Sequence, residues 1–246
     1  MFSILLLFIL GIVVGSFLGV IVDRIPRGEQ ILVGHSHCDY CHHTLGILDL
    51  IPVVSYLCLR GRCRYCHKKL SFFYPFIELS TAFAFALLAW NIYWLILSSI
   101  FIVIFFADLR FGIIPDVAVF TGILLVLLRL MIDYLKVGTD LSNYLIAGFV
   151  TFGIFLAIVV VTRGHGMGLG DVKYAFFMGL LLGFPRIIFA FYMSFLTGAL
   201  MAVILLVGGK KHLGQTMYFG PYLVFGTIFG LVINQSFILY WQKLLY

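Results

Sequence analysis

Apolar residues run along this chain in long blocks, broken only by short polar or Pro/Gly segments. The blocks at residues 2–22, 74–92, 94–107, 116–134, 143–162, 173–184, 187–207 and 221–241 predict eight membrane-spanning helices, since about 20 apolar residues cross about 30 Å of hydrocarbon. The sixth block is short, and the second and third are joined by almost nothing around Asn91. No positively charged segment precedes the first block and no small-residue cleavage site follows it, which predicts a retained helix rather than a signal peptide. Neither a repeat of fixed period nor disorder-type low complexity is visible. One polar stretch, residues 23–73, is long enough to fold in water. The expected fold is an all-α polytopic membrane protein of about eight transmembrane helices: 1–22 as the first helix, 23–73 as a loop domain and 74–246 as a transmembrane domain.

Composition agrees: the chain is 63% hydrophobic, 17% aromatic and only 11% charged. This places it in the lipid bilayer. The net charge of +6 could suggest nucleic acid, but the basic residues flank apolar blocks instead of forming a basic face, so no nucleic-acid partner is expected. They read as topology signals. With the N-terminus outside, the inner segments hold Arg24, Arg27, Arg60, Arg62, Arg64, Lys68, Lys69, Arg110, Arg163, Lys173, Lys210 and Lys211. Arg129, Lys136, Arg186 and Lys243 fall outside, so the division is 12 to 4 of the 16. Residues 23–73, 108–115 and 163–173 are therefore expected in the cytoplasm.

The 23–73 segment carries all five cysteines, four of them as Cys38-Asp-Tyr-Cys41 and Cys63-Arg-Tyr-Cys66. Two C-x2-C knuckles supply the four thiolates of a closed structural zinc site. Cytoplasmic thiols stay reduced, which disfavours two disulfides, and no βαβ pattern accompanies the pairs as a redox motif would require. About 50 residues with few large apolar side chains do not stabilise themselves, whereas structural zinc contributes on the order of 10–16 kcal/mol. Cys58 lies outside both pairs and is expected to be a small buried hydrophobe. His37, His42, His43 and His67 flank the knuckles, either as solvated loop residues or as a replacement for one thiolate.

Acids inside or beside apolar blocks are the second signal. Glu78 enters the second span in Tyr74-Pro-Phe-Ile-Glu78, where it either serves function, faces headgroups or pairs with a loop arginine. Asp108 follows the apolar run 95–107, and Asp116 follows Pro115 at the position of a helix cap. Asp171 closes residues 163–173, Arg-Gly-His-Gly-Met-Gly-Leu-Gly-Asp-Val-Lys, whose four glycines free the backbone for positive φ and for approach by another chain. The alternative for that stretch is a flexible hinge whose aspartate caps the next helix. By the topology above, Asp108 and Asp171 share the cytoplasmic boundary, as an aspartyl-protease dyad would. Lys173 and Arg163 are expected to anchor helix ends at headgroups. No His-Glu-x-x-His, Gly-x-Ser-x-Gly or phosphate-binding glycine loop competes with this reading.

Gly168-Leu-Gly170-Asp171 is the G-x-G-D motif of intramembrane aspartyl proteases, and the chain resembles the type IV prepilin peptidases over nearly its whole length. The resemblance is carried by Gly15-Ser-Phe-Leu, Arg24-Ile-Pro26, the two cysteine pairs, Asp49 to Leu57, Tyr74-Pro-Phe-Ile-Glu78-Leu, Asp108 to Asp116, Gly166 to Lys173 and Phe219-Gly-Pro221. It implies that Asp108 and Asp171 are the catalytic pair and that Gly168 and Gly170 let the substrate approach. The implied partner is a prepilin or pseudopilin precursor, cut after a glycine at the cytoplasmic face of a bacterial inner membrane. In many members the new N-terminal residue is methylated from S-adenosylmethionine, and Gly19-Val20 departs here from the Asn-Val of many bifunctional relatives. The alternatives are a peptidase without methylation and, from another class, a transporter with intramembrane acids; a transporter should show matched interrupted spans in two halves, which are absent here.

Overall fold

The structure, a computed structural model, describes residues 2–30, 36–88, 91–164, 166–209 and 218–233. The chain divides into two compact units, Met1–Ala107 and Asp108–Tyr246. Among the described residues there are no strands. Each expected block becomes a helix. Residues 89–90 of the second block and 234–241 of the last lie outside the described residues, as do Lys210, Lys211 and Lys243.

In the first unit, α1 (Phe2–Arg27) packs along α3 (Phe73–Leu88). Small residues let the two backbones approach: a Cβ at Gly11 would lie 2.6 Å from Ala82 Cα, and one at Gly15 would lie 2.7 Å from Glu78 Cα. Leu7, Phe85 and Leu95 form a buried cluster that joins α1 and α3 to α4 (Ile92–Phe111). Phe106 of α4 takes Phe73 and Phe76 edge-on at 5.4 and 5.3 Å. Between α1 and α3 the chain makes a 3-10 turn, Ile47–Asp49, and a short helix, α2 (Val54–Cys58). Cys58 is exposed; α2 is only five residues long and buries none of them, so the apolar run there does not become core.

The second unit holds α5 (Asp116–Val137), α6 (Leu141–Val161), α7 (Leu169–Leu182), α8 (Arg186–Val207) and α9 (Gly220–Val232). α7 is apolar all round and is buried accordingly: Tyr174, Ala175, Phe177, Met178 and Leu180 are inaccessible to solvent. It meets α6 at Gly179, where a Cβ would lie 2.7 Å from Ala147 O. Its polar groups find partners as burial requires. Thr151 Oγ1 donates to Ala175 O at 2.9 Å, and Tyr174 Oη pairs with Thr227 Oγ1 at 2.9 Å. α8 and α9 cross closely where Gly226 faces Ser194 and Ala190.

By length and composition α1, α4, α5, α6 and α8 can cross a membrane, and α3 and α9 are shorter apolar helices. Their outward residues, such as Ile4, Phe83, Leu124, Phe149 and Leu200, are exposed, as lipid-facing surfaces must be. Two boundaries differ from expectation in a way that matters. α4 continues to Phe111 and α7 starts at Leu169, so Asp108 and Asp171 lie within helical turns instead of in the adjoining loops.

Candidate active site and metal centre

Asp108 lies in the last turn of α4 and Asp171 in the first turn of α7. Both are buried, at 5% and 9% exposure, and both line one cavity of about 320 Å3 with Gly112, Ile114, Gly168 and Gly170. They are near enough for their charges to interact. Each carboxylate is aimed by a single backbone donor. Gly220 N, the first residue of α9, donates to Asp108 Oδ2 at 2.8 Å, and Gly168 N donates to Asp171 Oδ2 at 3.2 Å. The second bond is half of a capping box, with the N3 carboxylate reaching back to the N-cap N–H. Gly220 was legible only as part of Phe219-Gly-Pro221; nothing in the sequence spacing tied it to Asp108, 112 residues away.

The glycines act mostly by being small. In the described part of the stretch only Gly164, with φ +76°, and its neighbour Arg163, with φ +50°, are left-handed. Gly168 is extended at φ −82°, ψ 156°, and a Cβ at Gly170 would lie 3.1 Å from Ile114 Cβ. Asp116 does not cap α5. Pro115 occupies the N-cap, Asp116 is the first helical residue, and its carboxylate takes Lys173 Nζ at 2.7 and 2.8 Å. Lys173 therefore joins α7 to α5 instead of standing as a headgroup anchor.

Cys38, Cys41, Cys63 and Cys66 converge, with their four sulfurs all within 4.8 Å of one another. Cys38 Sγ and Cys66 Sγ are 3.9 Å apart, close to the ~3.8 Å edge of a tetrahedron with Zn–S bonds of about 2.3 Å. The four thiols thus fit a metal such as zinc. The two knuckles are copies of one turn. Cys38 N donates to His43 O and Cys63 N to Lys68 O; His42 N donates to Cys38 O and His67 N to Cys63 O. His42 and His67 sit at φ 55° and 57°, and the bridges His37 to Thr44 and Arg62 to Lys69 close the turns. This local repeat, C-x-Y-C-H in both copies, is one that a search for a fixed period along the whole chain passes over. The histidines serve as turn residues, and His43 packs on Tyr65 at 3.7 Å. Hydrogen bonding from the His43 backbone favours the Cys41 thiolate, but desolvation and the three neighbouring sulfurs hold its pKa up at about 11. A cation at the centre of the four sulfurs is what would reverse that.

Glu78 neither faces headgroups nor pairs with an arginine. It is 8% exposed, accepts from Val53 N at 2.7 Å and is hydrogen-bonded by the Ser16 side chain. Val53 holds φ +60°, a conformation that β-branched residues rarely adopt, so the carboxylate fixes a strained turn of the loop to α3.

A helical membrane protein with two buried carboxylates on one cavity, beside a separate four-thiol cluster, is the class that fold and site define. Residues 9–92 match the bacterial peptidase A24 N-terminal domain, and residues 95–203 match the type IV leader peptidase family. The prepilin leader peptidase/N-methyltransferase of Bacillus subtilis (strain 168) is 31% identical over 97% of this chain and 98% of its own. Proteins of the same name from Aeromonas hydrophila and Neisseria gonorrhoeae are 28% and 29% identical, each over 94% of this chain and over 91% and 90% of their own. The chain belongs to the type IV leader peptidase family. No solved structure gives a significant match.

Proposed function

We propose that this protein is a membrane aspartyl endopeptidase that removes the leader of type IV prepilins or pseudopilins after a glycine, at the cytoplasmic face, and then N-methylates the new terminus. The observation that carries the proteolysis is the pairing of Asp108 and Asp171, buried on different helices and lining one cavity. With one proton shared between them, the ionised carboxylate takes a proton from water as it attacks the scissile carbonyl, and the protonated one gives its proton toward the leaving amine. Extended backbone at Gly168 and the bare Gly170 leave room for a substrate strand beside Asp171. Cys38, Cys41, Cys63 and Cys66 would hold a structural zinc that orders residues 23–73. The family name supplies the methylation, for which S-adenosylmethionine is the donor.

The test is the mass of a prepilin precursor incubated with the purified protein and S-adenosylmethionine. Leader loss with one added methyl group is expected from the native protein, and no leader loss from Asp171→Asn. An intact precursor with the native protein overturns the peptidase reading, and cleavage without the methyl overturns the methylation alone.

A further inference from the structure

Residues 23–73 are long enough to fold in water, yet the part that follows the first cysteine knuckle turns its large apolar side chains outward. Neither the 3-10 turn Ile47–Asp49 nor α2 buries an apolar residue, and Ile47, Leu48, Val54 and Leu57 are exposed. The interior of the loop is taken by Cys38 and Cys63, which leaves these side chains no core to enter. Contiguous apolar surface of this kind marks a docking face. Its position says what covers it. Tyr56 of α2 meets the ring of Phe72 edge-on at 6.2 Å, and Phe72 stacks on Phe76 of α3 at 6.3 Å. Phe76 N donates to Phe72 O at 3.2 Å, so Phe72 stands one turn before Phe76 on the same face. At 3.6 residues per turn, Phe72, Phe76, Phe83 and Leu87 fall within about 60° of one another, and all four are exposed. That stripe of α3 faces lipid, and the outward side of α2 continues it.

Charge agrees with that placement. Residues 44–72 hold five cations, Arg60, Arg62, Arg64, Lys68 and Lys69, against one acid, Asp49. Arg64 pairs with Asp49 at 2.8 Å, and Lys68 lies over the Tyr40 ring at 4.9 Å. Arg60 and Arg62 follow α2 directly, and Lys69 lies across a backbone bridge from Arg62; all three are exposed. Apolar side chains flanked by cations are what an interfacial segment presents to anionic headgroups: the apolar groups enter the acyl boundary, and the long basic chains reach back to the phosphates. A protein partner on this face would have to cover the rings of Phe72 and Phe76 as well, whereas the bilayer around α3 already reaches them.

We propose that the Ile47–Asp49 turn and α2 are seated in the headgroup layer of an anionic membrane, with Leu48, Val54 and Leu57 at the acyl boundary and Arg60, Arg62 and Lys69 against lipid phosphates. To test this, the native protein is reconstituted in vesicles of phosphatidylcholine and phosphatidylglycerol. One preparation carries a trace of diazirine-bearing phosphatidylcholine and the other the same trace of diazirine-bearing phosphatidylglycerol, with the diazirine near the headgroup end of an acyl chain in both. After irradiation and digestion, label is expected on residues 47–57 with either lipid, and Leu87, at the far end of the α3 stripe, is the internal reference. Relative to Leu87, the phosphatidylglycerol probe should label 47–57 at least about fivefold more than the phosphatidylcholine probe does, the worth of one cation near an anionic surface. Absence of label from 47–57 when Leu87 is labelled overturns the proposal, and so do cross-links between two copies of the chain through that segment with no lipid label there. An equal ratio for the two probes overturns the role given to Arg60, Arg62 and Lys69. The double variant Leu48→Asp, Leu57→Asp changes two exposed positions and is expected to bring label on 47–57 to background with metal content unchanged. Undiminished label in that variant overturns the insertion of these side chains.

Discussion

The cysteine loop and α7 both carry buried polar chemistry, yet they are held in opposite ways. In the loop the large apolar residues point outward, with Ile47, Leu48 and Leu57 at 86%, 64% and 68% exposure, while Cys38 and Cys63 are at 3%. Its interior is sulfur. In α7 nine of 14 residues are buried, and the helix is fixed by van der Waals contact and a few internal hydrogen bonds. Order in the first region is therefore expected to depend on a metal held by the thiols, and order in the second on shape. A perturbation of the metal should be felt only in the loop, and one of side-chain volume chiefly around α7.

Metal removal should break this comparison most visibly. Cys63→Ser, or prolonged chelation of the native protein, withdraws ligation of about 10–16 kcal/mol from a segment with little else to stabilise it. The expected result is loss of about one equivalent of zinc together with new protease cuts between residues 36 and 72, while the helical circular dichroism is largely kept. A metal-free protein whose loop resists protease as before would show that packing, not ligation, orders it.

The same contrast explains what the sequence made legible. The apolar blocks were readable because hydrophobic length decides a membrane span: each became a helix, five of them long enough to cross a membrane, while α3, α7 and α9 are shorter among the described residues. The cysteine cluster was readable because two C-x2-C pairs have a strong local signature. What stayed hidden depends on contacts between distant positions. Asp116 reads locally as a cap, since Pro115 precedes it; only the fold brings Lys173, 57 residues on, to its carboxylate. Cys58 sits in an apolar run that would be core in a longer helix but lies exposed in a five-residue one. The Val53 N–H that holds Glu78 comes from a turn with no sequence signature.

Around the acids, the sharpest expected effect comes from a single methyl group. Gly220 N bonds Asp108, and a Cβ on Gly220 would lie 2.7 to 2.9 Å from the Asp108 carboxyl atoms. Gly220→Ala must therefore move the carboxylate or the start of α9. Displacement of a catalytic group by about 1 Å can cost on the order of 10²-fold, so kcat/KM for leader removal should fall by about that factor while zinc content stays unchanged. Cleavage at the native rate would mean that Asp108 need not be held where the structure has it.

The smallest effect expected is at Asp116. Its ion pair with Lys173 joins side chains that are 55% and 36% exposed, and a pair so open to solvent contributes about 0–1 kcal/mol. Asp116→Asn and Lys173→Ala should each lower the melting temperature slightly and leave leader removal within a few-fold of native. Asp108→Asn, by contrast, removes the proposed proton-transfer group and should cost about 10²–10⁴-fold, with the fold intact because an amide still accepts from Gly220 N. Leader removal measured on one precursor, with each variant's membrane level checked, separates the two acids. If Asp116→Asn is inactive and Asp108→Asn cleaves normally, the reacting carboxylate lies at the start of α5 and the buried aspartate of α4 is only a helix-to-helix tie.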